Sequence, residues 1–225
     1  MANLLIDLLK KTRLARPATT PFKYYPNAGP ARREGQASID ALASFGSEQQ
    51  NNILPGITPP PAPSTPVYQI GDSALGGKIA YILQPGDPGY VVGEQHGLVA
   101  TVSDVSTSAT WGCAGVQITG ADGQAIGDGN QNTIDIMAEC ATAGIAARLC
   151  GDLSQGGYSD WYLPSLDELT QLYNNRVAIG GFAADSYWSS SEFTDNNALT
   201  KNFSTGGSSQ SGKGNTLRVR AIRSF

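Results

Sequence analysis

Leu4, Leu5, Leu8 and Leu9 recur at the i, i+1, i+4, i+5 spacing of one helical stripe, and Pro17 closes it. A short helix is therefore predicted over 3–15. A helix of that length is marginal alone and needs a partner surface, so the stripe reads as a docking helix or a frayed terminus. From 17 to 54 no period is sustained. Pro17, Pro21, Pro26 and Pro30 interrupt the chain, and Phe22, Tyr24 and Tyr25 cluster in polar surroundings. Ser38 can cap a second short helix that puts Ile39, Leu42 and Phe45 on one face. Nothing here can build its own core, so the segment is expected to be disordered or to fold against another chain. Residues 55–66, PGITPPPAPSTP, form a linker stiffened by proline rings that fix φ. The expected division is an extended or helical anchoring arm (1–54), a Pro-rich linker (55–66) and a folded domain (67–225).

Within the domain, short strands are predicted at 68–70, 78–83 and 97–102. A longer helix then carries Ile134, Met137, Ala138, Ala141, Ile145 and Leu149 on one face, with Asn132 as its cap and Gly151 as its stop. The next helix start is sharper. Ser165-Leu166-Asp167-Glu168 is a capping box, Pro164 precedes it, and Leu169 stands where a hydrophobic staple would. Leu166, Leu169, Leu172 and Tyr173 give its buried face. Strands follow at 186–190, 199–203 and 217–224, with a Gly/Ser-rich loop over 204–215 between the last two. Strands, two helices and long loops in one small unit make the fold class α+β.

Composition adjusts this picture in three places. Gly 27 and Pro 13 favour turns over long helices. The net charge of −4 is uneven: residues 1–66 hold seven Lys/Arg against four acids, leaving −7 on the remainder. An acidic domain lacks the cations that neutralise phosphates, which excludes nucleic acid as its partner. No stretch approaches the length of a membrane span. The apolar run precedes Lys10 and Lys11, the reverse of a signal peptide, so export by another route, such as a phage particle released by lysis, is expected. Cys113, Cys140 and Cys150 form no C-x-x-C pair and have one histidine, His96, to join, so no zinc site is expected. One disulfide plus a free thiol and three reduced thiols both fit. Synthesis in the cytoplasm favours the reduced set, and which of Cys113 or Cys140 would pair with Cys150 stays open.

Catalytic chemistry is thin. Glu94 and His96 could form an acid–base pair, but their spacing matches no metal or nucleophile motif, and the bland alternative is a solvated loop histidine. The Gly-rich stretches lack a P-loop Lys-Ser/Thr. Asp122 and Asp128 lack the spacing and closing Glu of a calcium loop. No enzyme, cofactor or metal is expected.

Three motifs stand in order: Gly156-Gly157-Tyr158-Ser159-Asp160-Trp161-Tyr162-Leu163-Pro164-Ser165-Leu166-Asp167-Glu168-Leu169, then Tyr187-Trp188-Ser189-Ser190, then Val219-Arg220-Ala221-Ile222-Arg223. They resemble the domain family named for the C-terminal domain of the collagen-like adhesin Lcl, with its DWRLPT..EL, YWSS and VR.VR signature, over about residues 68–225. Tyr162 replaces the family's usual Arg and Ser165 its Thr. The resemblance implies a C-type-lectin-like fold whose termini pair as neighbouring strands, and a homotrimer that binds glycans or host surfaces. The Glu-Pro-Asn and Trp-Asn-Asp triplets of calcium-dependent lectins are absent, so that mode does not carry over. Trp161 and Trp188 read as core. Arg218, Arg220 and Arg223 are expected to pair with acids such as Asp160 or Glu192.

The functional expectation is a phage virion protein whose arm docks on capsid or tail through Leu4, Leu5, Leu8, Leu9, Phe22, Tyr24 and Tyr25. Its domain would bind host-surface or mucus glycans or receptors. The alternatives are a bacterial surface adhesin and a structural trimeric decoration module without ligand. The candidate ligand residues are Phe193, Asp195, Asn196, Asn197, Lys201, Asn202, Ser208, Ser209, Gln210 and Lys213, whose amides, hydroxyls and charges suit carbohydrate hydroxyls.

Overall fold

In the computed structural model the described residues are 66–225. The predicted anchoring arm, its docking residues and the linker up to residue 65 lie outside them.

Two sheets and four helices make an α+β domain, consistent with a C-type-lectin-like fold. The first sheet holds β1 (Ser73–Ala74), β2 (Gly77–Ile82), β3 (Gly97–Ala100) and β9 (Ile222–Ser224) in the order β1-β2-β3-β9, all antiparallel. The second holds β4 (Ser106–Thr110), β5 (Ser186–Glu192), β6 (Asn197–Asn202), β7 (Ser208–Gly212) and β8 (Thr216–Val219) in the order β4-β8-β5-β6-β7, with β5 and β8 parallel. The helices are α1 (Asp128–Glu139), α2 (Ala146–Gly151), α3 (Leu166–Asn174) and α4 (Arg176–Ile179).

The strand predicted at 217–224 is two strands. The chain leaves the second sheet after Val219 and enters the first at Ile222. The last strand thus rejoins the early strands, but beside β3. Between β8 and β9 the arginines lock the crossing. Arg218 Nη1 and Arg220 Nε both reach Asp104, at 3.0 and 3.1 Å, and Arg220 also donates to the Thr101 carbonyl at 2.8 Å. Arg223 grips Asp160 with two bonds of 2.7 and 2.8 Å and stacks on the Tyr158 ring. Of the expected partners Asp160 is correct, whereas Glu192 is taken by another residue.

The core fills the space between sheets and helices. Trp111, Trp161 and Trp188 are buried, and each indole N–H finds a carbonyl: Ser189, Gln155 and Ala109 respectively. Each burial of that kind contributes roughly 1.5–3 kcal/mol or more. A second cluster gathers Tyr162, Leu169, Leu172, Tyr187 and Phe203 under α3.

The capping box forms as the sequence predicts. The Ser165 hydroxyl accepts from Glu168 N–H at 3.3 Å, and the Glu168 carboxylate accepts from Ser165 N–H at 2.8 Å. Its reach is wider than a local cap, because Glu168 also accepts from Gly127 N–H at the start of α1 and from the Tyr162 hydroxyl.

The single helix expected from Asn132 to Gly151 is two. Asn132 lies buried inside α1, where its side-chain amide donates to the Gly123 carbonyl and to Ser190 Oγ. It therefore ties the helix to β5 and caps nothing. The break comes at Cys140, whose extended backbone carries a disulfide to Cys113. Arg148 then reaches back to the Met137 and Cys140 carbonyls at 2.6–3.1 Å, satisfying the orphaned end of α1. The preference for three reduced thiols is thus corrected: Cys113 pairs with Cys140, and Cys150 is the buried free thiol. The strand expected at 68–70 is also absent. Tyr68 instead sets its ring edge-on to Phe225, and the first strand is β1.

Candidate functional site

The candidate ligand residues lie along β6, β7 and the turns at their ends. Asn197 and Asn202 sit at opposite ends of β6, roughly 17 Å apart at the rise of a strand. The set is therefore a strip, and it sorts into three parts.

One part builds the fold. Lys213 has no exposure; its ammonium is paired with Glu192, donates to the Val116 carbonyl at 2.7 Å, and lies 4.6 Å from the Trp111 ring centre. The expectation that Lys213 meets a ligand is corrected on that ground. Lys201 is only 7% exposed, donates to Ser208 Oγ and leans over the Tyr173 ring. The Asn202 side-chain oxygen accepts from the Ser204 and Thr205 N–H groups, both at 2.9 Å, and so shapes the hairpin turn.

A second part is the exposed edge formed by Ser208, Ser209 and Gln210.

The third part is a platform at the β5–β6 turn. Phe193 is 55% exposed, and Asp195 and Asn196 are exposed beside it. Asn197 closes the turn, its carbonyl accepting from the Phe193 and Thr194 N–H groups. A distant loop joins this turn. Gly115 N–H donates to the Asp195 carbonyl at 3.0 Å, which brings the exposed Val116 and Gln117 alongside.

The buried Lys213–Glu192 pair holds this loop. Both Glu192 oxygens accept from Ile118 N–H, at 3.0 and 3.1 Å, while Lys213 binds the Val116 carbonyl. Lys213 N–H donates in turn to the Asn196 carbonyl at 2.8 Å. Two ions are thus taken out of water to fix two surface loops against each other, an arrangement that needs every remaining polar group satisfied. The disulfide anchors the same loop at Cys113, which sits at φ 46, a left-handed conformation uncommon for a residue with a side chain. Gly112 before it has φ 107, and a Cβ there would come within 2.6 Å of Ile145.

Sequence reasoning missed Gly115, Val116 and Gln117, and it named Glu192 only as a partner for the arginines, whereas Glu192 pairs with Lys213. The 113–118 loop lies far from β5 in the chain and has no motif. Its signal was Cys113 alone, and that signal was readable only with the disulfide known.

The other candidates lie elsewhere. His96 Nε2 is 3.1 Å from Glu94 and Nδ1 is 3.2 Å from the Phe225 carbonyl, on the rim of a cavity of about 770 Å³ lined also by Tyr68 and Tyr90. Asp128 accepts from Ala125 N–H in a turn. Among the described residues no group of three or more His, Cys, Asp or Glu is placed to hold a metal ion.

The family model described as the Lcl C-terminal domain matches residues 100–223. The chain belongs to the Lcl C-terminal domain family. Its match begins at the end of β3, inside the 68–225 expected from the motifs, and domains of this family are non-catalytic adhesion modules. No curated protein matches the chain. Among solved structures, the chain is similar to a fimbrial protein from Bacteroides ovatus ATCC 8483, at 18% identity and a TM-score of 0.40 over 65% of this chain. It spans 43% of that protein's length. Neither comparison supports the expected phage structural protein in a virion with capsid or tail partners, and that expectation is withdrawn.

Proposed function

We propose that this Lcl C-terminal domain protein is a bacterial surface adhesin whose domain binds carbohydrate at the platform made by Phe193, Asp195, Asn196, Val116 and Gln117. The observation that carries the reading is the buried Lys213–Glu192 pair, which spends two desolvated charges on the geometry of two exposed loops. A fold that needed only stability is served as well by apolar residues in that place. The platform mixes an exposed ring with amide and carboxylate groups. That combination suits a sugar, whose C–H face packs on an aromatic ring while its hydroxyls take directed hydrogen bonds. The Cys113–Cys140 disulfide supports an oxidising environment such as a cell surface.

A glycan array probed with the full chain and with Phe193→Ala and Asn196→Ala tests this. Binding to a defined set of glycans, reduced about tenfold or more by each substitution, is the expected result. Array binding that neither substitution changes rejects the platform. An array without any binding rejects the carbohydrate reading.

A further inference from the structure

Among the described residues no lysine or arginine is exposed. Lys201, Lys213, Arg220 and Arg223 are buried. The half-buried ones are held by the fold: Lys78 by the Gly71 carbonyl, Arg148 by the end of α1, Arg176 by the Tyr173 carbonyl and ring, and Arg218 by Asp104 and Asp185. Many of the acids stay at the surface, so the domain's charge of −7 is carried by exposed carboxylates. A second or third copy of the domain has no spare cation to lend, and assembly of these domains leaves the balance as it is.

The platform shares this polarity. Asp195 is exposed within it, and Glu139 is exposed at its border, accepting from Thr119 N–H at 3.3 Å just beyond the 113–118 loop. The ammonium of Lys213 lies beneath with no exposure and is neutralised by Glu192. Asp195 is also held in place. Its carbonyl accepts from Gly115 N–H at 3.0 Å, and its Oδ1 accepts from the Asn196 side-chain amide at 2.9 Å. Among the described residues no donor reaches Asp195 Oδ2 or Asn196 Oδ1. These two acceptors beside Phe193 call for donors from a ligand, such as hydroxyl or amide N–H groups.

We propose that the platform selects glycans free of acidic groups, and that Asp195 is the residue that sets this selectivity. The inference rests on the carbohydrate reading of the platform. A sugar ring packed on Phe193 carries neighbouring hydroxyls that donate to the Asp195 carboxylate, and bonds to an ionised acceptor are the shorter and stronger kind. A sialic acid, uronic acid or sulfate group in the same place brings a like charge and offers only acceptors. At about 5 Å that repulsion alone weakens binding about fourfold in water, and more where the sugar ring excludes water. Among the described residues no lysine or arginine is placed to offset it.

An array of matched pairs, each oligosaccharide with and without a terminal sialic acid or sulfate, tests this when probed with the full chain at about 0.15 M and about 1 M salt. At the lower salt the acidic member is expected to bind about fourfold or more weakly than its neutral partner. At the higher salt the gap should narrow, because screening acts on charge and not on the bulk of the added group. Asp195→Asn keeps the shape and removes the charge. It should weaken neutral binding about tenfold and close most of the gap, and Asp195→Lys should invert the preference. The Asp195 side chain is exposed, so both variants should keep the circular dichroism of the wild type. Equal or tighter binding of the acidic members overturns the inference, as does a gap that neither salt nor Asp195→Asn changes. In those cases Phe193→Ala and Asn196→Ala still decide the platform by themselves. An array on which the wild type binds nothing overturns both readings.

Discussion

Lys213 and Glu192 are worth more as a pair than either is alone. Lys213→Ala leaves a buried carboxylate with one backbone partner, and the expected loss is roughly 3–5 kcal/mol of stability in urea unfolding. Lys213→Met with Glu192→Leu should recover most of it while loosening the 113–118 loop, which separates the pair's role in stability from its role in shape. Two carboxyl groups set opposite pH trends. The Arg223 guanidinium beside Asp160 holds that carboxyl below its ordinary range. Its contribution to stability is therefore complete above an ordinary carboxylate pKa of about 4 and is lost as pH falls through the lowered value. Asp160 is half open to water, so the effect is modest, and Arg223→Gln should flatten the acid limb of stability against pH. Glu168 runs the other way. Burial raises it against the hydrogen bonds from Ser165, Gly127 and Tyr162 that would lower it. Its contribution is complete below the ordinary value and declines as pH rises through the raised one. Glu168→Gln should remove that decline. Thermal midpoints across pH check both, and like slopes in wild type and variants would refute them.

The elements best foreseen are those whose signal is local. The capping box at Ser165 depends on four consecutive residues, and α3 starts where they place it. Ser165→Ala should cost about 1 kcal/mol, and more if the second bond of its hydroxyl, to the Ala125 carbonyl at 2.8 Å, also counts; chemical denaturation reads the difference. The misread elements depend on partners far along the chain. Helical spacing persists from Ile134 to Leu149, and nothing local shows that Cys140 is pulled extended by Cys113. β7 has polar side chains on both faces, so it lacks the alternation that marks a strand, and its Gly/Ser composition reads as a loop. The stretch from Leu217 to Ser224 is continuous in pattern, while the sheet switch at Arg220 follows from Asp104 and Thr101 on other segments. The platform was half legible: its β5–β6 turn follows the Tyr187-Trp188 motif, and its other loop is joined only by tertiary bonds.

For the whole molecule, the disulfide links the loop end of the second sheet to the end of α1. It closes a loop over a separation of 27 residues, and its reduction should cost roughly 3–4 kcal/mol if the native geometry is unstrained. Thermal unfolding with and without reductant checks this, with Cys113→Ala/Cys140→Ala as the matched variant. Burial raises the Cys150 thiol well above its ordinary value, so it should stay unreactive towards thiol reagents until the domain unfolds. The family fixes what kind of module this is, whereas the position of its binding surface rests on the platform. NMR chemical-shift mapping on the full chain, titrated with the strongest glycan from the array, tests that position most directly. Shifts concentrated at Gly115–Gln117 and Phe193–Asn197 are predicted. Shifts centred on the Tyr68, Tyr90 and His96 cavity, with the platform silent, would contradict it.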